Sequence, residues 1–339
     1  MEVTKGMFAL TQCLTRKWTR IAALAIAGAL FLAVTATGQA NPTFWKLEWP
    51  ETDFTKHAVP LDEIFSGGVP RDGIPPIYVP RFGTIEENSR LYVGTEPVIS
   101  VVIDGQARAY PLGILMTHEI VNDELAGRSI AVTYCPLCNS AIVFDRNVDG
   151  QVLTFGVSGK LRNSDLVMWD HETQSWWQQF TGEGIVGEKT GIRLGMLPVR
   201  VESFDRFKAR HPYGQVLESP RGGPGFNPYA GYDTSPQPFL YRGAFPEGIK
   251  PLEYVVAVGD QAWSIERLRK DKRVEAGDLV ITWEAGQNAA MDQRNIADGR
   301  DIGNVVVQRK QDGKLVDAVH DVTFAFAFHA FNPDGTIHQ

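Results

Sequence analysis

Sulfur is scarce in this chain, with three cysteines among 339 residues. That scarcity excludes a disulfide-dense scaffold. Basic charge is short as well: 33 Lys and Arg face 40 Asp and Glu, a formal charge of −7, so nucleic acid is a poor partner. Long hydrophobic runs are lacking too, since the unbroken apolar stretch Ile21 to Val34 has fourteen residues, short of the roughly 20 that a spanning helix needs. No Walker loop, no Gly-x-Gly-x-x-Gly after a strand, no Gly-x-Ser-x-Gly and no His-Glu-x-x-His occurs, which removes common nucleotide, hydrolase and zinc-protease readings.

What is present begins with Lys5, Arg16, Lys17 and Arg20, followed by that apolar run and a small-residue stretch ending in Ala40. This is the pattern of a secretory signal peptide over residues 1–40, with an uncleaved anchor as the alternative. Cys13 lies upstream of the apolar core, where a lipoprotein cysteine does not sit. Cleavage after Ala36 or Ala40 removes four basic residues and one acidic one. The remaining chain holds 29 Lys and Arg against 39 Asp and Glu, a formal charge of −10, and only Cys135 and Cys138. The sequence thus predicts a periplasmic or secreted protein, with no membrane partner after cleavage. A free thiol pair in such an oxidising compartment needs a metal or a reductase to stay reduced.

The body of the chain reads as one unit written twice. Ala109-Tyr110 and Leu115 fall opposite Ala262-Trp263 and Leu268 at a spacing of 153. Val132-Thr133-Tyr134 and Asn139-Ser140-Ala141 fall opposite Ile281-Thr282-Trp283 and Asn288-Ala289-Ala290 at a spacing of 149. Opposite Cys135 and Cys138 the second copy has Glu284 and Gln287. Short runs of β-branched and aromatic residues with turn punctuation predict many strands, among them Val98 to Ile103, Ser129 to Tyr134, Leu166 to Trp169, Leu279 to Trp283 and Val322 to Phe328. Short helices are expected at Leu112 to Val121, Ser203 to Arg210 and Ser264 to Lys270. The expected fold is α+β and β-rich, two related lobes from an internal duplication, with mixed or antiparallel sheets and short helices. Residues 41–97 read as an irregular N-terminal extension, 98–219 as the first lobe, 220–252 as a Gly/Pro-rich connection and 253–339 as a second, thiol-free lobe.

The most chemically pointed stretch is Thr133-Tyr-Cys-Pro-Leu-Cys-Asn-Ser-Ala141. Two thiols three positions apart bind a soft metal, exchange with disulfides, or close an inert loop. The residues after Cys138 read as another strand rather than the helix that lowers a thioredoxin-type thiol pKa. A strand-turn-strand knuckle aims both sulfurs at one point and uses Asn139 in a left-handed conformation, which favours metal. A closed site needs further donors, and His118 and His329 are the main candidates, ahead of His171 and His211. Copper or zinc suits two thiolates with an imidazole. Lys160, Arg162 and Asn163, in a turn-like Gly-Lys-Leu-Arg-Asn-Ser segment, are candidates for orienting an anionic substrate, so that an enzyme built here would be a metal-dependent oxidoreductase. Its partners would be a small anionic molecule or a metal-donor protein. Thiol–disulfide exchange at the same cysteines is the second reading.

A third reading makes the cysteines structural and the protein a glycan-binding module. Trp169, Trp176 and Trp177 would form its platform, with Asp170 and Glu183 as paired carboxylates for acid–base work. The plain alternative buries these tryptophans in a hairpin core. Asn227 to Asp233 is a further loop that either borders a pocket or turns within the connection.

On His118 to Asp123, Thr133 to Ala141, Val143 to Arg146, Ser158 to Asp165, Gln178 to Gly182 and Asn227 to Tyr229, the chain resembles a family of secreted prokaryotic proteins, the domain of unknown function 3179 family. The likeness runs over nearly all of the chain after the leader. It implies no established activity, and it points to the same residues without naming a reaction.

Overall fold

Several of the tight turns that separate the strands are Asp-Gly pairs. Asp104-Gly105, Asp149-Gly150 and Asp312-Gly313 carry positive φ at both positions, the handedness of a two-residue hairpin turn that matches strand twist. They close β3 (Pro97–Ile103) onto β4 (Gln106–Pro111), β8 (Asn147–Val148) onto β9 (Gln151–Val152), and β21 (Asn304–Gln311) onto β22 (Lys314–Asp317). The computed structural model describes residues 42–339; the expected leader and Cys13 lie outside the described residues. The fold is β-rich, with six short helices among the described residues and small mixed or antiparallel sheets in a propeller-like arrangement.

Two of these sheets share one plan. In the first, β15 (Arg200–Ser203) flanks β3, and β16 (Gln215–Leu217) runs parallel to β4, with β2 (Phe82–Thr84) beyond it. In the second, β23 (Asp321–Phe324) flanks β17 (Tyr254–Val258), and β24 (Thr336–His338) runs parallel to β18 (Gln261–Ser264). Val216 pairs with Ala109 and Ile337 with Ala262. Each flanking strand leads into a seven-residue helix, α4 (Phe204–Arg210) or α6 (Ala325–Phe331).

Two four-stranded sheets complete the parallel. One orders β5 (Ile120–Leu125), β6 (Arg128–Cys135), β7 (Ser140–Asp145) and β14 (Met196–Leu197); the other orders β19 (Arg273–Ala276), β20 (Leu279–Glu284), β21 and β22. β20 ends at Glu284 as β6 ends at Cys135. What has no counterpart lies between β7 and β14, where the chain builds β10 (Phe155–Arg162), β11 (Asp165–Asp170), β12 (Trp176–Gln178) and β13 (Gly184–Val186).

Residues 42–97, the described part of the expected extension, are less irregular than their composition suggests. They supply α1 (Pro42–Glu48), β1 (Ile64–Ser66) on the edge of β10, β2, and α2 (Ile85–Asn88), whose Thr84 and Glu87 make reciprocal capping bonds. The described residues pack as one unit, and one apolar core runs from Ile99 through Tyr134 to Trp283 and Phe324.

Two expected elements are corrected. The helix over Leu112 to Val121 is only α3 (Leu112–Leu115). Glu119 takes φ 58, which a helix does not continue through, and its carbonyl accepts from Tyr134 N–H at 2.8 Å, so the backbone is committed to the sheet. The strand over Val322 to Phe328 is β23 for its first part and α6 thereafter. Ala325 to Phe328 are all buried, and a run apolar on every side has no period by which to tell strand from helix.

Candidate metal centre

Cys135 closes β6, Pro136 to Cys138 form a single 3-10 turn, and Asn139 at φ 50, ψ 35 returns the chain into β7, with Cys135 opposite Ser140. This is the strand-turn-strand knuckle read from the sequence. Pro136 fixes the start of the turn, and Asn is among the few residues that tolerate its left-handed end. The turn is tied from outside. Tyr134 donates its hydroxyl to Asn139 Oδ1 at 2.9 Å, Asn139 Nδ2 donates to Val322 O at 2.7 Å, and Thr323 Oγ1 donates to Cys138 O at 2.7 Å. Ala141 N–H donates to Asp321 Oδ1 at 2.9 Å. The thiol-free part of the chain thus clamps the thiol turn through β23.

A second turn meets it. β10 and β11 are joined by Asn163 and Ser164, both at positive φ (53 and 65), with Arg162 opposite Asp165. Asp165 therefore starts β11 at the hairpin tip. Cys138 Sγ lies 3.6 Å and Cys135 Sγ 3.9 Å from Ser164 O. One ligand atom each of Cys135, Cys138 and Asp165 lies within 4.8 Å of the other two, and all three residues are buried. Gln178 Nε2 and Phe180 N–H donate to Asp165 Oδ2 at 2.6 and 3.0 Å, while Oδ1 accepts no N–H or O–H.

The electrostatics are one-sided. Burial lifts Asp165 to about 7, against the lowering pull of the Gln178 and Phe180 donors. Burial lifts Glu119 to about 8, with repulsion from Asp165 added. Both thiols are pushed up by the same desolvation. Among the described residues no Lys or Arg is paired with any of the four. Four acidic groups are gathered in a low-dielectric site with no protein cation, a condition that keeps them protonated or calls for a bound cation. Buried thiols pushed up in this way are poor nucleophiles.

The other sequence candidates go elsewhere. His118 is buried, with Nδ1 2.7 Å from Pro75 O and Nε2 unpartnered, and His329 lies in the last turn of α6; neither joins the group formed by the cysteines. Lys160 Nζ meets Glu48 at 3.2 Å, Arg162 meets Glu63 at 2.8 Å, and Asn163 serves the turn. The tryptophans form no platform: Trp169, Trp176 and Trp177 are buried, the first two packed with Trp45 and Trp49, the third donating to Asp170 at 2.8 Å. Glu183 pairs with Arg193.

Sequence reasoning singled out both cysteines and Asn139 but not Asp165, which the fold brings to the sulfurs, nor Glu119, which interacts with Asp165. Asp165 was signalled by the two-residue Asn-Ser turn between strand-like runs, which fixes the residue after it at a hairpin tip. Glu119 was hidden behind the expected helix.

The family model described as "Protein of unknown function (DUF3179)" matches residues 71–335. The chain belongs to the DUF3179 family. The match takes in the thiol turn, the Asn163-Ser164 hairpin and the β23 clamp of this DUF3179 protein. No curated protein and no solved structure matches the chain.

Proposed function

We propose that this DUF3179 chain is an exported metal-binding protein in which Cys135, Cys138 and Asp165 hold a zinc ion. The observation that carries the reading is the convergence of two thiols and a carboxylate, all buried, on one point without a protein cation. A carboxylate beside two sulfurs suits zinc, which accepts S and O donors alike, better than copper(I), which selects soft ligands. Three protein ligands with a position left over match a zinc site that keeps an exchangeable place. Zinc has no redox chemistry of its own, so any activity here would be Lewis-acidic. Thiol–disulfide exchange is disfavoured by the burial and raised pKa of both thiols. The basic, apolar leader supports export, and a bound metal would keep the pair reduced outside the cytoplasm.

The shared plan of the two halves supports the further reading that they descend from one repeated unit, the second having lost its thiols and kept the role of clamp. Glu284 at the end of β20 and Gln287 beyond it are the residues that replace the cysteines.

Elemental analysis of protein purified from the periplasm tests the metal. The expected result is about one equivalent of zinc, lost in Cys135→Ser and much reduced in Asp165→Asn. Less than about a third of an equivalent of any transition metal, unchanged in Cys135→Ser, would overturn the reading. A stoichiometric copper content would retain the site and replace the ion.

A further inference from the structure

Beside the thiol turn opens a cavity of about 340 Å³ that the metal reading does not use. Its walls are mostly hydrocarbon, with Leu137 from the thiol turn and Leu161 and Leu166 from the hairpin. Its other side is aromatic: Tyr229, Tyr232 and Phe239, all from the Gly/Pro-rich connection. That segment is fixed by Asn227 N–H to Arg294 O at 3.1 Å, Gly231 N–H to Met291 O at 3.0 Å, and Phe239 N–H to the Tyr232 hydroxyl at 3.1 Å. The connection is therefore a wall of a built pocket.

Only two of the lining residues, tyrosines aside, carry a titratable group. Lys160 is one, and its amine is taken by Glu48 at 3.2 Å. Glu119 is the other. It is 7% exposed, and no described donor, Lys or Arg meets its carboxylate. The charge that bears on it is Asp165, of its own sign. A cavity whose one unpaired ionisable side chain is a carboxyl, set among aromatic rings, offers nothing to pair an anion, opposite to what Lys160 and Arg162 suggest from the sequence. It suits a cation with an apolar body, because a carboxylate and the faces of aromatic rings both attract an ammonium group, most strongly when water is excluded.

We infer that this cavity is a binding site for a small organic amine, with Glu119 pairing the ammonium group, Tyr229, Tyr232 and Phe239 facing the cation, and Leu137, Leu161 and Leu166 covering its hydrocarbon body. The inference stands whether or not the neighbouring thiols carry zinc, since Glu119 is outside the group formed by Cys135, Cys138 and Asp165.

Isothermal titration of the full chain with three probes of one shape, phenethylamine, 2-phenylethanol and 3-phenylpropionate, tests it. Phenethylamine is expected to bind at least about tenfold more tightly than the alcohol, and the carboxylate not at all. Glu119→Gln is expected to remove that preference, bringing the amine down to the alcohol, and Phe239→Ala to weaken both. The comparison of probes on the unaltered protein needs no variant to fold. Equal binding of amine and alcohol, tighter binding of the carboxylate, no binding of the amine up to about 1 mM, or an unchanged amine affinity in Glu119→Gln would each overturn the proposal. Zinc content is read on the same samples: loss of zinc together with amine binding in Glu119→Gln would assign Glu119 to the metal and overturn the amine site.

Discussion

Asp321 shows how a residue far along the chain is drawn into the thiol turn, and what that costs. Its carboxylate accepts from Ala141 N–H, but burial dominates and lifts its pKa to about 6. A carboxyl raised in the folded state binds its proton more tightly there than in the unfolded chain. Its contribution to stability is therefore fullest below about pH 4, where both states are protonated, falls as the pH rises through its folded value, and is flat above. Asp321→Asn, which keeps an acceptor without the charge, is expected to gain on the unaltered protein between pH 4 and pH 6, by up to about 1.4 kcal/mol per pH unit. Urea unfolding at several pH values checks this; a difference that does not change with pH, or that changes in the opposite direction, would refute it. At this scale the sequence was informative wherever chemistry is local. The two cysteines and Asn139 declare a turn by residue type alone. Asp321 and Asp165 do not, because an aspartate becomes a ligand or a clamp only through what another segment brings to it.

Among elements, the hairpin β10–β11 decides where Asp165 stands, and its aim depends on a glycine. Gly159 has φ +71 at an irregularity in the β10–β11 register, and a Cβ there would lie 2.2 Å from Val69 O. That atom is backbone and cannot swing aside. Gly159→Ala is expected to cost about 2–4 kcal/mol and to lower zinc content, because shifting the hairpin moves Asp165 away from the sulfurs. Gly150 in the β8–β9 turn is the control: it has φ +83 and open space around it, so Gly150→Ala should cost about 1 kcal/mol and leave zinc unchanged. Denaturant midpoints with elemental analysis on both variants separate local strain from loss of aim. The strands of this hairpin were partly legible, since Leu166 to Trp169 is a plain β-branched and aromatic run, while the Gly-Lys-Leu-Arg-Asn-Ser segment reads as a turn and yet carries β10 as far as Arg162. Where alternation fails, as in Ala325 to Phe331, the sequence carries no period and packing alone chooses the helix.

Across the whole molecule, the candidate centre is a junction. The thiol turn comes from β6 and β7, Asp165 from the inserted hairpin, the aromatic wall from residues 229–239, and the clamp from β23. None of these segments is adjacent in sequence to the next, and so the motif was readable but the site was not. A ligand that binds such a junction stabilises every segment that must be in place to form it, whereas one bound to a single loop shifts only that loop. Removing the proposed zinc should therefore lower the cooperative transition as a whole. It strips a cation from buried acidic groups, which must then take up protons or repel one another. A strong chelator is expected to reduce Tm by several degrees, about 2–4 °C for each kcal/mol of lost stabilisation in a chain of this order of size, with restoration on adding zinc and no effect in Cys135→Ser. Calorimetry with and without chelator decides it. A transition that splits in two, with only the first part sensitive to chelator, would show instead that the thiol turn unfolds apart from the β23 clamp, and the junction would not be the unit of stability.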